Sequence, residues 1–130
     1  MLILTIRTDK PEAEVGLFED DQKIKYEKWQ AHRQLAETIH DKTKKLLESS
    51  KKDWQDIQGI VCFKGPGSFT GLRIGLSVGN ALAYGLEIPI VGSEDKDWIK
   101  KGVDKLLAGK KETAVIPEYG SPVHITKPRN

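Results

Sequence analysis

The chain has 130 residues, 38% hydrophobic and 31% charged, with a formal net charge of +2. That is enough for one domain around one core, and ordinary for a soluble globular protein. The charge is too small to argue for nucleic acid by itself, and no apolar run of about 18 residues argues for a membrane span. Cys62 is the only cysteine, which excludes an internal disulfide, and its apolar surroundings read as a core strand. A cytoplasmic location is the default expectation.

Leu2–Ile6 is a short apolar run that reads as a first strand rather than a signal peptide. Lys10-Pro11 is a turn signal. Ala13–Phe18, with Val15 and Leu17 alternating, suggests a second strand, and Glu19-Asp20-Asp21 a tight acidic turn. Lys23–Trp29 alternates strictly and predicts a third strand, completing a meander. From about residue 33 to 49 the period changes. Leu35, Ile39, Leu46 and Leu47 fall on one helical face. Asp53 is a plausible cap for a short turn ending near Ile57. Gly59–Phe63 is the next apolar strand. A glycine-rich turn and a helix to about Tyr84-Gly85 follow it. Ile88–Gly92 predicts a fifth strand, with proline near its start. Asp97–Leu107 has helical spacing and stops at Ala108-Gly109. Thr113–Ile116 is expected to be a last short strand, and the tail from Pro117 to Asn130 is irregular.

Three meander strands followed by strands that alternate with helices imply a single α/β domain. Its mixed five-stranded sheet, in the order β-β-β-α-β-α-β, is flanked by helices and followed by a short C-terminal helix. Ribonuclease H-like and actin-like domains share this element order.

The most informative stretch is Gly65-Pro66-Gly67-Ser68-Phe69-Thr70-Gly71-Leu72-Arg73-Ile74-Gly75. A strand feeds it, and a helix opens on Ser68 or Thr70. Backbone N–H groups left free at such a helix start sit at its positive end. Gly65, Gly67, Ser68, Thr70 and Arg73 are therefore a possible anion site. The ending of a Walker A loop is missing, because Thr70-Gly71-Leu72-Arg73 stands where Gly-Lys-Ser/Thr would, and no lysine is placed to reach a β- or γ-phosphate. Gly67, Gly71, Gly75 and Gly79 recur every four residues, and Ala83 continues the row along one helix face. Interior glycines cost about 0.5–1 kcal/mol each relative to alanine, so close backbone approach must offset them. Two readings stay open: the stripe packs on its own sheet or on helix 33–49, or part of it faces a partner protein.

Other constellations are weaker. His32, His40 and His124 are too scattered for a metal site. Ser68 has no partnered histidine and reads as a cap, and no catalytic residue is assigned. Lys100, Lys101, Lys105, Lys110, Lys111, Lys127 and Arg129 make the last third basic, which usually means a solvated face and sometimes an RNA contact.

The twelve residues Lys64–Gly75 resemble the signature of the TsaB (YeaZ) family. Met1–Ile6 is similar to that family's first strand, the segment around His32–Leu47 to its first helix, and Gly85–Ser93 to its next strand and turn. The resemblance covers roughly residues 1–95, expected to be an actin-like domain. Residues 96–130 are expected to be a helix and irregular tail, the reduced remnant of a second domain; Ile116-Pro117-Glu118-Tyr119 faintly resembles the family's Pro-x-Tyr ending. The resemblance implies a non-catalytic subunit. It would pair with a TsaD-like protein through helices 33–49 and 70–85, with Leu35, Ile39, Gly71, Leu72, Gly75, Leu76, Gly79 and Ala83 at the interface. With a TsaE-like ATPase, ATP and magnesium, such an assembly attaches threonylcarbamoyl to an adenosine in the anticodon loop of ANN-reading tRNAs. The donor, a carbamoyl-AMP, comes from a separate enzyme. The isolated chain would need no cofactor and meet tRNA only indirectly, and the same helices could form a homodimer. Family members carry Asp-Thr-Ser after the first strand, where Arg7-Thr8-Asp9 stands here; that argues against independent ATP hydrolysis. The alternative is a small nucleotide-binding ATPase or phosphotransferase using the Gly65–Gly71 turn.

Overall fold

The computed structural model describes residues 1–31, 34–67 and 69–117. The elements are β1 (Leu2–Arg7), β2 (Glu12–Glu19), β3 (Gln22–Gln30), α1 (Leu35–Ser49), a 3-10 turn (Trp54–Asp56), β4 (Gly59–Gly65), α2 (Phe69–Leu86), β5 (Ile90–Glu94) and α3 (Trp98–Leu107). The five strands make one sheet in the order β3-β2-β1-β4-β5. The meander pairs are antiparallel, and β1, β4 and β5 run parallel. This is the α/β, ribonuclease H-like and actin-like architecture expected from the element order.

Period-two alternation divides the core between the two sheet faces. Leu2, Leu4 and Ile6 of β1 and Ile60 and Cys62 of β4 pack beneath α1 and α2. Ile3, Val61 and Phe63 point the other way, onto Trp98, Val103 and Leu106 of α3. The parallel strands are thus covered on both sides and read as continuous apolar runs, as buried parallel strands do. The boundary expected at residue 95 does not separate two packing units: α3 closes the second face of the same sheet, with Trp98 and Val103 buried in it.

Helix ends differ from the glycine-based expectation. Helix α2 runs past Gly85 to Leu86 and turns at Glu87, whose φ is 58°. Glu87 N–H donates to Tyr84 O (3.3 Å) and Ile88 N–H to Ala83 O (3.0 Å), the paired bonds of a Schellman end. The latter bond holds Ile88 in the helix end, so β5 starts at Ile90 rather than Ile88. Lys51, at φ 58°, ends α1 the same way, and Gly109 does so for α3 as its sequence predicts.

Thr113–Ile116 is not a strand. It is a bend whose Val115 is clamped to α2: Val115 N–H donates to Asn80 Oδ1 (2.9 Å) and Asn80 Nδ2 donates to Val115 O (3.1 Å). A side chain supplies the backbone partners that a ladder would have given. The Pro-x-Tyr resemblance falls largely outside the described residues.

Candidate functional site

Helix α2 carries three four-residue rows with different neighbours. The first is the glycine row, and it faces inward. A Cβ on Gly75 would lie 2.0 Å from Thr8 Oγ1, and one on Gly79 2.5 Å from Cys62 Sγ. Gly71 is half-buried, and its carbonyl accepts a hydrogen bond from the Thr8 hydroxyl at 2.7 Å. Ala83 is buried in the same cluster. The missing side chains let α2 settle on the ends of β1 and β4. That contact offsets the helix-propensity cost of the glycines.

This corrects the expected interface list. Leu35, Ile39, Leu72, Leu76 and Ala83 are 0–7% exposed, and Gly75 and Gly79 are buried. They hold the chain's own core together and offer little area to a partner. The periodicity was readable; its direction was not, because a small-residue row suits any close neighbour.

The second row, Thr70, Ile74, Val78, Leu82 and Leu86, runs beside α1. Its first half, with Ala36, Arg73 and Ser77, lines a groove of about 470 Å³. Further along, Ala81, Leu82, Gly85 and Leu86 line a second groove, of about 320 Å³, with His40 and Trp54. His40 and Trp54 stack at 5.0 Å with an interplanar angle of 17°. The third row, Arg73, Ser77, Ala81 and Gly85, is exposed, and Tyr84 beside it is 89% exposed. Among the described residues, nothing lies within 4 Å of a Cβ built on Gly85. The outer face of α1 and α2 is thus a shallow apolar trough with small residues along its rim. Sequence reasoning named Thr70 and Arg73 for an anion and missed Ile74, Val78, Ala81 and Tyr84. For Ile74 and Val78 the signal was present one position away, in the row i, i+4 next to the glycines.

At the signature turn, Gly65 has φ 123°, a conformation that only glycine adopts without strain. Its bond to Pro66 is cis. Ser68 lies outside the described residues, and Thr70 and Arg73 are exposed. Behind the turn, Arg7 forks onto Asp9, Nε to Oδ1 at 2.7 Å and Nη2 to Oδ2 at 3.2 Å. The pair raises the Arg7 pKa against the opposing effect of burial. The Arg7 Cζ also sits 4.0 Å from the centroid of the Phe63 ring.

Three lysines of the last third are engaged. Lys100 pairs with Asp104 and Lys101 with Asp95, each at 3.3 Å, and Lys105 Nζ donates to Gly92 O at 2.8 Å. Lys127 and Arg129 lie outside the described residues, as do His32 and His124. Among the described residues no group of three His, Cys, Asp or Glu could hold a metal ion, and no helix is long and apolar enough to cross a membrane.

The fold and the two-helix face define a ribonuclease H-like, actin-like domain with its glycine turn packed against the end of β1. A family model described as "TsaD: tRNA N6-adenosine threonylcarbamoyltransferase" matches residues 29–98, more than half of the chain. Two relatives are named "tRNA threonylcarbamoyladenosine biosynthesis protein TsaB". The one from Escherichia coli (strain K12) is 31% identical over 119 residues, 83% of this chain and 49% of the relative. The one from Bacillus subtilis (strain 168) is 35% identical over 94 residues, 69% of this chain and 39% of the relative. Among solved structures, YeaZ from Pseudomonas aeruginosa superposes with a TM-score of 0.66 at 24% identity, covering 72% of this chain and 44% of that one. The chain belongs to this family, on its TsaB (YeaZ) side. It spans about half the length, or less, of these relatives.

Proposed function

We propose that this chain is a non-catalytic binding subunit in the formation of threonylcarbamoyladenosine on tRNA. It would present the outer face of α1 and α2 to a TsaD-like protein. The observation that carries this reading is the trough along Ile74, Val78 and Leu82, rimmed by Ser77, Ala81 and Gly85, which the chain's own sheet and helices leave uncovered. Small rim residues let a second pair of helices approach closely, and Tyr84 is the kind of exposed aromatic that anchors interfaces. The names of the relatives support the pathway, and the relation to TsaD-type proteins supports a partner of that type. ATP, magnesium and a TsaE-like ATPase would belong to the assembly, and tRNA would meet the partner rather than this chain.

The test is co-purification with the TsaD-type protein of the same organism. The expected result is a stoichiometric complex that Ala81→Arg disrupts without changing the circular dichroism of the chain. If Ala81→Arg and Val78→Glu both pair as well as the unaltered protein, the face is not the interface. If no complex forms and tRNA modification is unchanged in a strain lacking the chain, the functional reading fails as a whole. A self-associated dimer that Ala81→Arg dissolves would assign the same face to a second copy.

A further inference from the structure

Ligands of open α/β sheets lodge beyond the carboxyl ends of the parallel strands. In this chain those ends belong to β1, β4 and β5, and the Gly65–Gly67 turn leaves the end of β4 and lies against Asp9, just after β1. An actin-like ATPase fold implies a magnesium nucleotide at that place, so its residues can be examined for fit.

They do not fit. Arg7 ends β1 and is held by both oxygens of Asp9, whose side chain is only 6% exposed. The guanidinium is also stacked over Phe63 of β4, so it is held from two directions. The turn rests on the same pair: a Cβ on Gly67 would stand 2.5 Å from Asp9 Cβ. Between them, the Thr8 hydroxyl bonds the carbonyl of Gly71 and ties the first turn of α2 down. An incoming phosphate would meet a cation already neutralised by a buried carboxylate, and that carboxylate would repel it.

We propose that Arg7 and Asp9 close this crevice from within: the Asp9 carboxylate holds the place of the anion, and the chain takes no nucleotide by itself. The pair is a lock built from β1 and the residues just after it, and it is independent of the α1–α2 face.

The experiment is calorimetric titration of the full chain with magnesium-ATP and, separately, with inorganic pyrophosphate. It is run on the unaltered protein, on Asp9→Ala and on the isosteric Asp9→Asn, with folding checked by circular dichroism. The unaltered chain is expected to bind both probes more weakly than about 1 mM. Removing the carboxylate frees Arg7 and is expected to tighten pyrophosphate binding at least tenfold. It should also raise Tm by roughly 5 °C at a tenfold excess of pyrophosphate over its Kd. Binding of either probe by the unaltered chain well below 1 mM overturns the proposal. So does a folded Asp9 variant that binds pyrophosphate no better than the unaltered chain. Should neither variant fold, the titration of the unaltered chain decides alone.

Discussion

Cys62 sits on β4 with no exposed surface, under the glycine row of α2. Burial, with a smaller contribution from the negative charge of Glu112, pushes its thiol up to about 12 from an ordinary value of 9.0. The thiolate is the reactive form, so this cysteine is inert while the chain is folded. The raised value also has a consequence for stability. Between about pH 9 and pH 12 the unfolded chain has released the thiol proton and the folded chain has kept it. The unfolded state then binds fewer protons, so stability falls as pH rises, by up to about 1.4 kcal/mol per pH unit from this group. Below pH 9 the contribution is fully present. The expected outcome is that the stability difference between the unaltered protein and Cys62→Ala shrinks as urea unfolding is repeated from pH 8 to pH 10.5. A difference that stays constant would mean that the thiol is not held in its neutral form.

At the scale of the element, α2 shows what a sequence can and cannot tell. The four-residue spacing from Gly67 to Gly79 announced a helix face that something approaches closely, and the structure has such a face. What approaches is Thr8 at Gly75 and Cys62 at Gly79, with Asp9 against Gly67 in the turn before the helix; Thr8 and Asp9 are far away in the chain, and no local pattern names them. The strands were legible because alternation fixes both period and face, and so was the end of α1 at Ser49; the end of α2 was not, because Glu87 takes a left-handed conformation usually given to glycine. The Thr113–Ile116 segment reads as a strand but folds as a bend, because β-branched and apolar residues in a short run suit a strand and a clamped bend equally. Packing in the glycine row can be tested as a pair. Gly79→Ala gains about 0.5–1 kcal/mol of helix propensity but drives its methyl into Cys62 Sγ, an overpacking cost of about 1–3 kcal/mol. The next atom, Ile90 Cδ1, is 3.4 Å away and tolerates a methyl. Gly79→Ala is therefore expected to destabilise, and Gly79→Ala combined with Cys62→Ala to be more stable than the two single costs predict, since one methyl fills the space the sulfur leaves. Strict additivity in urea midpoints would show that the contact is slack.

At the scale of the whole molecule the question is what happens at the two edges of the sheet, because an open edge invites pairing with another chain. Edge strand β3 carries Lys23, Lys25 and Lys28, a charge pattern that discourages stacking of strands. Edge strand β5 is short and has no such charges. The segment after α3 covers it instead. Glu112 N–H donates to Ile90 O at 2.9 Å, Gly92 N–H donates to Glu112 Oε2 at 2.7 Å, and Lys105 supplies the donor for Gly92 O. Val115, 3% exposed, pins the far end of this strap through its two bonds to Asn80. The strap thus connects the β5 edge to α2, the helix on the face opposite to α3. Asn80→Ala removes both bonds and leaves the Val115 backbone groups without those partners, a cost of about 1–3 kcal/mol. Its effect is expected to be regional. In hydrogen exchange the amides of Val115 and Gly92 should lose protection, while those of β1 and β4, at the centre of the sheet, keep theirs. If exchange at Gly92 is unchanged while Val115 opens, Glu112 holds the edge without the strap's anchor. If protection falls equally across β1 and β4, the strap is part of the global fold rather than a cover laid over its edge.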